Sequence, residues 1–481
     1  MTYIRPASSQ INLWPSLGLE IDWDVLFNSS TKGEHFQPPS STLSNLGACY
    51  ESSDHGFDGP LATCISPHMA SDDTHQIFNN SFETMGVPPR CDFNGGELRG
   101  FGVQMVTQDG LADVREDAAR AYYYPVMDRP NLIVLANTTA TRIIWSEDTP
   151  NGHAVASGVQ VQHQSGRLST VLADREVILS AGAIRSPAIL EHSGIGSSRI
   201  LSQHSIDVKV DLPSVGENLQ DQTVMAITAA SLRNSSAFPA FVAHTSLHDL
   251  FGSETQSVYE STRAKLPQYG ASIAAQNGGA SSAAVQQHLL ETQLDLLMSS
   301  NTPTSEIAPA IFGDFIGGVF WPLQPFSRGS VHINSMNTTA PPTIDAKFLQ
   351  IDFDGQVAVA TAKFVRKFFL TAPMSELVNI STLQPNFEVV PEDANDDVWL
   401  DWLKTNSSVA PNYHHLGTCA MLPRDMGGVV DNDFRVYGTD NVRVVDLSAV
   451  PLQVAGHSTA LLYGIAEWAS QKIKARTHLP D

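Results

Sequence analysis

Two histidines near the C-terminal end of the sequence, His414 and His457, have the surroundings expected of groups that move protons. Each lies in a glycine-punctuated region, beside an expected strand end or helix start. A neutral imidazole accepts a proton near physiological pH, so such a ring suits general acid–base catalysis. In a sequence with 16 histidines, a single histidine is more often a surface or packed core residue, so the assignment depends on what surrounds these two.

The elements expected around His457 are a strand and the last helix. The segment NVRVVDLS predicts a strand that ends in Asp446 and Ser448, and a helix is expected from about Ser458 to Lys474, with His457 at its N-terminal end. In α/β folds, ligands bind at the carboxyl ends of such strands. The positive end of the helix dipole disfavours an imidazolium ion, which predicts a neutral His457 near pH 7.

A second strand–turn–helix unit is expected at 175–196. Its sequence, REVILSAGAIRSPAILEHSGIG, predicts a buried strand at Val177–Leu179, followed by a helix that starts near Ser186 and Pro187 and stops at the SGIG sequence. Small residues at the turn allow a backbone to approach a ligand closely, and a helix N-terminus favours phosphate. Taken alone, the stretch is explained as well by an ordinary β-to-α turn.

Several segments together resemble the glucose–methanol–choline (GMC) oxidoreductase family, nearest to its fungal glucose-oxidase-like members. The unit at 175–196 is similar to a family signature down to its closing SGIG, and LPSVGENLQDQ resembles the VGxNLxDH element, with Gln222 in place of the histidine. The H-x-x-G-T-C-x-M motif is matched from His414 to Met421, and the His or Asn before the last helix is matched by His457.

The resemblance implies an α/β fold, α+β overall, in which an incomplete Rossmann-like FAD-binding domain accompanies a substrate-binding domain with an antiparallel sheet and helices. The implied division gives 1–130 to partial FAD-domain segments, a lid and a linker, 131–225 to the FAD-binding domain, 226–409 to the substrate-binding domain, and 410–481 to a C-terminal FAD-binding segment with the histidine pair. The implied cofactor is FAD, and the residues expected to contact it are Ala140, Asp446, Leu447, His457, Ser458 and Thr459.

The reaction implied by the resemblance is the oxidation of an alcohol, which removes a hydroxyl proton and a hydride from the same carbon. We expect His414 to act as the base and His457 as its partner, with the two roles interchangeable at the level of sequence. Glucose oxidases carry an Arg four residues before the first histidine, where this chain has Ala410, so a non-sugar alcohol is expected, for example an aromatic or secondary-metabolite alcohol. A non-redox lyase or cyclase and an inactive truncated homologue are the alternatives.

The start of the sequence differs from the family pattern. Family members normally open with G-x-G-x-x-G and an acidic ribose ligand, and this sequence has neither. Its first residues, MTYIRPASSQINLW, resemble an internal family segment. We therefore expect roughly a hundred N-terminal residues of the family to be absent, and this exact chain to bind FAD poorly and to be unstable alone.

Composition excludes other classes of partner. The chain has 481 residues and a formal net charge of -22, which argues against nucleic acid and against an anionic membrane surface. No apolar run is long enough to span a membrane, and the first residues lack the apolar core of a signal peptide. The sequence indicates neither the localisation nor the oligomeric state. The four cysteines fit no zinc pattern, and both buried thiols and a disulfide among Cys49, Cys64 and Cys91 are compatible with them.

The remaining segments predict elements from their periodicity. We expect an irregular excursion or lid at 28–75, an amphipathic helix at 110–123, two paired strands at 131–145, and helices and loops at 226–310. Residues 158–163 are expected to pair as a strand with residues within 169–182. A strand is expected at 329–334 and a helix at 354–370.

Overall fold

The computed structural model describes residues 1–69, 72–149, 152–235, 240–299, 301–405 and 409–477. Some positions of the segments predicted from the sequence lie outside the described residues, namely 70, 71, 150, 151, 236–239, 300, 406–408 and 478–481. The strands are β1 Thr2–Tyr3, β2 Glu34–Gln37, β3 Leu61–Ile65, β4 Gly100–Val103, β5 Met105–Val106, β6 Gln108–Asp109, β7 Val114–Arg115, β8 Thr138–Trp145, β9 Ala156–His163, β10 Leu168–Leu172, β11 Val177–Leu179, β12 Ile195–Gly196, β13 Val210–Asp211, β14 Thr223–Ser235, β15 Phe241–Ser246, β16 Pro303–Pro322, β17 Ser330–His332, β18 Thr343–Asp345, β19 Val378–Gln384, β20 Ala410–Pro411 and β21 Val442–Val444. The α-helices are α1 Ser8–Ile11, α2 Trp23–Gly33, α3 Ser41–Asn45, α4 Thr74–Thr84, α5 Gly182–His192, α6 Ser198–Gln203, α7 Leu247–Phe251, α8 Thr255–Ala274, α9 Ala283–Ser299, α10 Asp352–Leu370, α11 Asp396–Thr405 and α12 Ser458–Thr477.

The largest sheet is antiparallel and has the strand order β19–β14–β16–β15–β4, with β20 paired to the start of β14. Its apolar face packs against α10, and Ile227, Phe320 and Phe368 are fully buried in this core. The register of β15 and β16 places His244 opposite Glu306. Because β4 belongs to this sheet, the antiparallel layer draws on residues outside 226–409.

A smaller parallel sheet joins β11 and β21, with Val177 opposite Val442 and Leu179 opposite Val444. Both strands end at the same edge, where the chain continues from β11 into α5, and from β21 through a short 3-10 turn towards α12. Valine and leucine side chains of the two strands are buried in a second core with Leu461 of α12. The end of β11 therefore leads directly into the N-terminus of α5 at this edge of the sheet.

The N-terminal part of the chain forms a four-stranded sheet of order β1–β5–β3–β2, in which all five residues of β3 are buried. Cys49 and Cys91 form a disulfide, whereas Cys64 and Cys419 are buried free thiols. The predicted excursion at 28–75 is therefore wrong in large part, since it contains the strands β2 and β3, the helix α3 and the end of helix α2.

No helix among the described residues is long and apolar enough to cross a bilayer.

Two other predictions from periodicity are wrong. Residues 110–123 form a turn, β7 and a short π-helix, because the Asp109 carboxylate accepts hydrogen bonds from the backbone N–H groups of Leu111 and Ala112 and stabilises a turn there. Residues 131–145 contain one strand, β8, and the apolar run before it is exposed, with Ile133 79% accessible.

Other elements lie where the sequence places them. The strand pair β9–β10, strands β11, β17 and β21, and helices α10 and α12 are confirmed. Helix α5 begins at Gly182, four residues before the predicted start, and includes Pro187. The 226–310 segment contains the expected helices α7, α8 and α9, but also the long strands β14 and β16.

Candidate active site

The structure brings His414 and His457 together. Their ring centroids lie 5.1 Å apart and the ring planes cross at 77°. Both side chains are half-buried, although the two residues reach the site from different elements: His414 follows β20, and His457 immediately precedes α12. The two rings are therefore close enough for one small molecule to contact both.

The hydrogen bonds of His414 fix its tautomer. Gln222 is fully buried, and its amide nitrogen donates to the carbonyl oxygens of Leu323 (3.0 Å) and Val454 (3.3 Å). The amide oxygen of Gln222 must therefore be the acceptor in the 2.8 Å contact with Nδ1 of His414. The amide nitrogen of Asn412 also lies 3.1 Å from Nδ1, but it donates to the same Gln222 oxygen at 3.2 Å. The shorter contact with Gln222 therefore places the proton on Nδ1 and leaves the lone pair on Nε2, the arrangement that a base requires.

Burial determines the charge of His414. Removal from water, together with the neighbouring His457, lowers the pKa of His414 to about 3, so the ring is neutral at neutral pH. The backbone N–H of His414 donates to the carboxylate of Asp221 (3.0 Å), and the preceding Tyr413 has a left-handed φ of 60°. Burial also raises the pKa of Asp221 to about 6, against the effect of the backbone hydrogen bonds that it accepts.

His457 is held by its backbone and by its ring. Its N–H donates to the carbonyl oxygen of Ile4 (3.0 Å), and its Nε2 contacts Oε1 of Glu306 at 2.8 Å. Gly456 has a φ of 78°, and a Cβ there would lie 2.6 Å from the carbonyl oxygen of Arg5. Only glycine allows this approach, so the segment that follows β1 sets the position from which His457 projects.

Glu306 is the most important site residue that the sequence analysis missed. It is fully buried on β16 and contacts His457 through one oxygen and Nε2 of His244 through the other (3.1 Å). Burial raises the pKa of Glu306, but the two histidines outweigh that effect and hold the pKa well below its usual range. The signal that identifies it in the sequence is a lone charged residue within the otherwise uncharged segment 302–313.

The motif spacing that follows His414 has a structural reason in this chain. Gly417 has a φ of 94°, and a Cβ there would lie 2.5 Å from the carbonyl oxygen of Asn218. Residues 417–421 then run beside 447–449 through three backbone hydrogen bonds, and the Thr418 hydroxyl donates to the carbonyl oxygen of Ala183 at the start of α5. The motif thus connects the histidine to both strand–helix junctions of the parallel sheet.

The predicted cofactor contacts lie in three places. Ser458 and Thr459 are half-buried in the first turn of α12, next to His457. The carboxylate of Asp446 accepts hydrogen bonds from the N–H of Gly182 and from the hydroxyls of Ser186 and Ser448, so its oxygens are used within the protein. The following Leu447 is half-buried.

The third predicted contact, Ala140, is exposed on β8 and pairs with Val161 of β9, in a sheet that is separate from the parallel pair. The side chains around the end of β11 suit a dinucleotide cofactor, because Ser180 and Ala181 are exposed and a Cβ on Gly182 would meet nothing within 4 Å. This open, small-residue edge beside the N-terminus of α5 fits FAD.

Comparisons with known proteins agree with this geometry. The GMC oxidoreductase family matches residues 1–224 with its N-terminal part and residues 325–466 with its C-terminal part. The glucose oxidase-like protein fsoC of Humicola fuscoatra is 38% identical over 99% of this chain and 81% of its own length, and a glucose oxidase of Aspergillus carbonarius is 32% identical over 98% and 77%.

Solved structures show the same fold. An FAD-dependent oxidoreductase from Chaetomium thermophilum superposes with a TM-score of 0.90 at 25% identity, covering 100% of this chain and 85% of that one. A fungal aryl-alcohol oxidase superposes with a TM-score of 0.87 at 24% identity, covering 99% and 84%. Together with the family matches, these neighbours indicate FAD as the cofactor. The chain belongs to the GMC oxidoreductase family.

Proposed function

We propose that this GMC oxidoreductase oxidises a non-sugar alcohol with FAD, and that His414 accepts the hydroxyl proton while His457 orients the hydroxyl. The observation that supports this proposal is that two imidazoles with different hydrogen bonds lie side by side. His414 is hydrogen-bonded through Nδ1, whereas His457 is hydrogen-bonded through Nε2 to the buried Glu306. FAD, when bound, supplies the hydride acceptor.

The roles of the two rings follow from their protonation. The neutral His414 carries its lone pair on Nε2 and can take a proton there, whereas the anchored Nε2 of His457 is already engaged. The ring centroids lie 5.1 Å apart, so one small molecule can reach both rings, and contact with His457 positions the hydroxyl whose proton His414 removes.

Two side chains near the histidines support a non-sugar alcohol as the substrate. Ala410, which is half-buried on β20, offers no side-chain donor for a sugar hydroxyl. The indole of Trp321 is buried and meets the ring of His457 edge-on, with centroids 6.1 Å apart. An apolar or aromatic alcohol suits these surfaces better than a polyhydroxylated one, because buried hydroxyls without partners lose binding free energy.

The decisive experiment is anaerobic addition of a panel of aromatic and aliphatic alcohols, with sugars as the comparison set, to the FAD-loaded protein. We expect an alcohol to bleach the oxidised flavin spectrum in the wild type, and His414→Ala to abolish this reduction. His153→Ala is the matched control, since His153 is an exposed histidine paired with Asp440.

Three outcomes contradict the proposal. Undiminished reduction in His414→Ala removes the assignment of the base. Conversion of the added compound without flavin bleaching indicates a lyase or cyclase. A flavin-loaded protein that neither bleaches nor converts any member of the panel indicates an inactive homologue.

A further inference from the structure

A second buried histidine lies behind the site. His244 of β15 stands directly opposite Glu306 of β16 in the sheet register, and its Nε2 lies 3.1 Å from Oε2 of the carboxylate. The other oxygen of Glu306 contacts Nε2 of His457 at 2.8 Å. The three side chains form a continuous histidine–carboxylate–histidine chain from the core of the antiparallel sheet to the candidate site, which we call the β15–β16 relay.

The protons of this relay are determined by the chemistry of its members. An ionised carboxylate only accepts hydrogen bonds, so both imidazoles must present Nε2–H to Glu306. His457 is thereby held as an Nε2–H donor in one ring orientation. Without His244, one oxygen of a fully buried carboxylate would lose the partner that the structure gives it.

The two ends of the relay are not equivalent. His244 is fully buried, and its Nδ1 has no hydrogen-bond partner among the described residues, whereas the side chain of His457 is 13% exposed at the site. A protonated His244 would bury an unpaired, charged N–H, which costs more than an unpaired lone pair. His244 therefore serves as a neutral donor to Glu306.

We propose that His244 is a positioning residue for the proposed alcohol oxidation: by donating to Glu306 it fixes the carboxylate that sets the tautomer and orientation of His457. Only the kinetic consequence of this inference rests on the proposed function, because the effect of His244 on the tautomer of His457 exists without turnover. A charged group in the middle of a buried strand pair costs desolvation free energy that an apolar pair would avoid, so stability alone does not account for the arrangement.

The test compares His244→Leu, His244→Gln, Glu306→Gln and the His244→Leu/Glu306→Gln double variant in FAD-loaded protein. The glutamine amide places an N–H donor near the position of Nε2, whereas leucine removes it. We expect His244→Leu to slow anaerobic flavin reduction at saturating alcohol about tenfold with a nearly unchanged KM, as the loss of one hydrogen bond to a charged group predicts. His244→Gln should restore most of the rate, and His244→Leu should have no further effect once Glu306 is glutamine.

A second readout does not depend on turnover. In protein with ¹⁵N-labelled histidine, the imidazole shifts of His457 should report the Nε2–H tautomer in the wild type and in His244→Gln, and a tautomer mixture in His244→Leu. His75→Leu is the matched control, because His75 also packs in this core but contacts the rings of Phe101 and Phe241. If His244→Leu does not fold, His244→Asn displaces the donor while keeping an amide, and the same two measurements apply.

The proposal is overturned if the His457 tautomer and the reduction rate are the same in the leucine variant and the wild type. It is also overturned if His244→Leu slows the Glu306→Gln protein by the same factor as the wild type, because His244 would then act by another route. Failure of the proposed function gives a different result: no variant, and not the wild type, reduces flavin, while the tautomer of His457 still responds to His244.

Discussion

The stability of this protein should fall between pH 6.5 and pH 9 because of one buried imidazolium, His55. The side chain of His55 is fully buried, with Nε2 2.8 Å from Asp92 and Nδ1 3.2 Å from Glu34. Burial lowers the pKa of His55, but hydrogen bonds to these two carboxylates outweigh it and raise the pKa to about 9. Arg5 also contacts Glu34, at 2.7 Å, so the cluster contains two cations and two anions.

The sign and size follow from proton linkage. Because the folded pKa lies above the unfolded value of 6.5, the stabilisation is fully present below pH 6.5 and is lost as the pH rises through about 9. A tenfold difference in proton affinity corresponds to about 1.4 kcal/mol, so His55 contributes about 3 kcal/mol to the free energy of unfolding at low pH. That amount is a large part of the stability of an ordinary domain.

The assay is denaturant unfolding at a series of pH values for the wild type and His55→Gln. Burial also lowers the pKa of the α-amino group of Met1, which both proteins share, so the compared quantity is the difference between the two proteins. We expect that difference to be largest at pH 6 and to shrink towards pH 9. His153→Gln, at an exposed histidine, is the control and should show no such trend. A pH-independent difference between wild type and His55→Gln refutes the reasoning.

Two further predictions concern the candidate site. Gly456→Ala should lower the free energy of unfolding by about 2 kcal/mol or more, because the new Cβ meets a backbone carbonyl at 2.6 Å and the φ of 78° disfavours it; unchanged denaturant midpoints would contradict this. Gln222→Leu removes the acceptor for Nδ1 of His414, so flavin reduction should slow about tenfold or more. If ¹⁵N spectra show that His414 keeps a pure Nδ1–H tautomer in that variant, the assigned role of Gln222 is wrong.

The apolar periodicity of the sequence was sufficient to predict an element where that element packs against a core along its whole length. Helix α10 and strand β11 were predicted from contiguous apolar spacing, and both lie in buried cores. The failures occur where another interaction competes with periodicity. At 110–123 the apolar spacing suits a helix, yet the carboxylate of Asp109 satisfies the backbone groups of a turn, and Leu111 is left 91% exposed.

The sequence likewise predicted some residues of the candidate site and missed others. His414 and His457 were found from motif spacing, and the structure places them side by side, although their catalytic roles and the cofactor contacts stay predictions. Glu306 and His244 were not found, because their meeting depends on the register of β15 and β16 across 62 positions of sequence. A single sequence carries little information about such pairings, since register is set by tertiary packing and turn geometry.

The contact between Ile4 and His457 joins segments that lie far apart in the sequence. A growing chain therefore has Ile4 long before the histidine that Ile4 holds in place. Cores can begin to form from earlier segments, but the histidine pair forms only after His457 has been made and α12 has packed. Because contacts between distant segments are slow to form, we expect this pair to assemble late in folding.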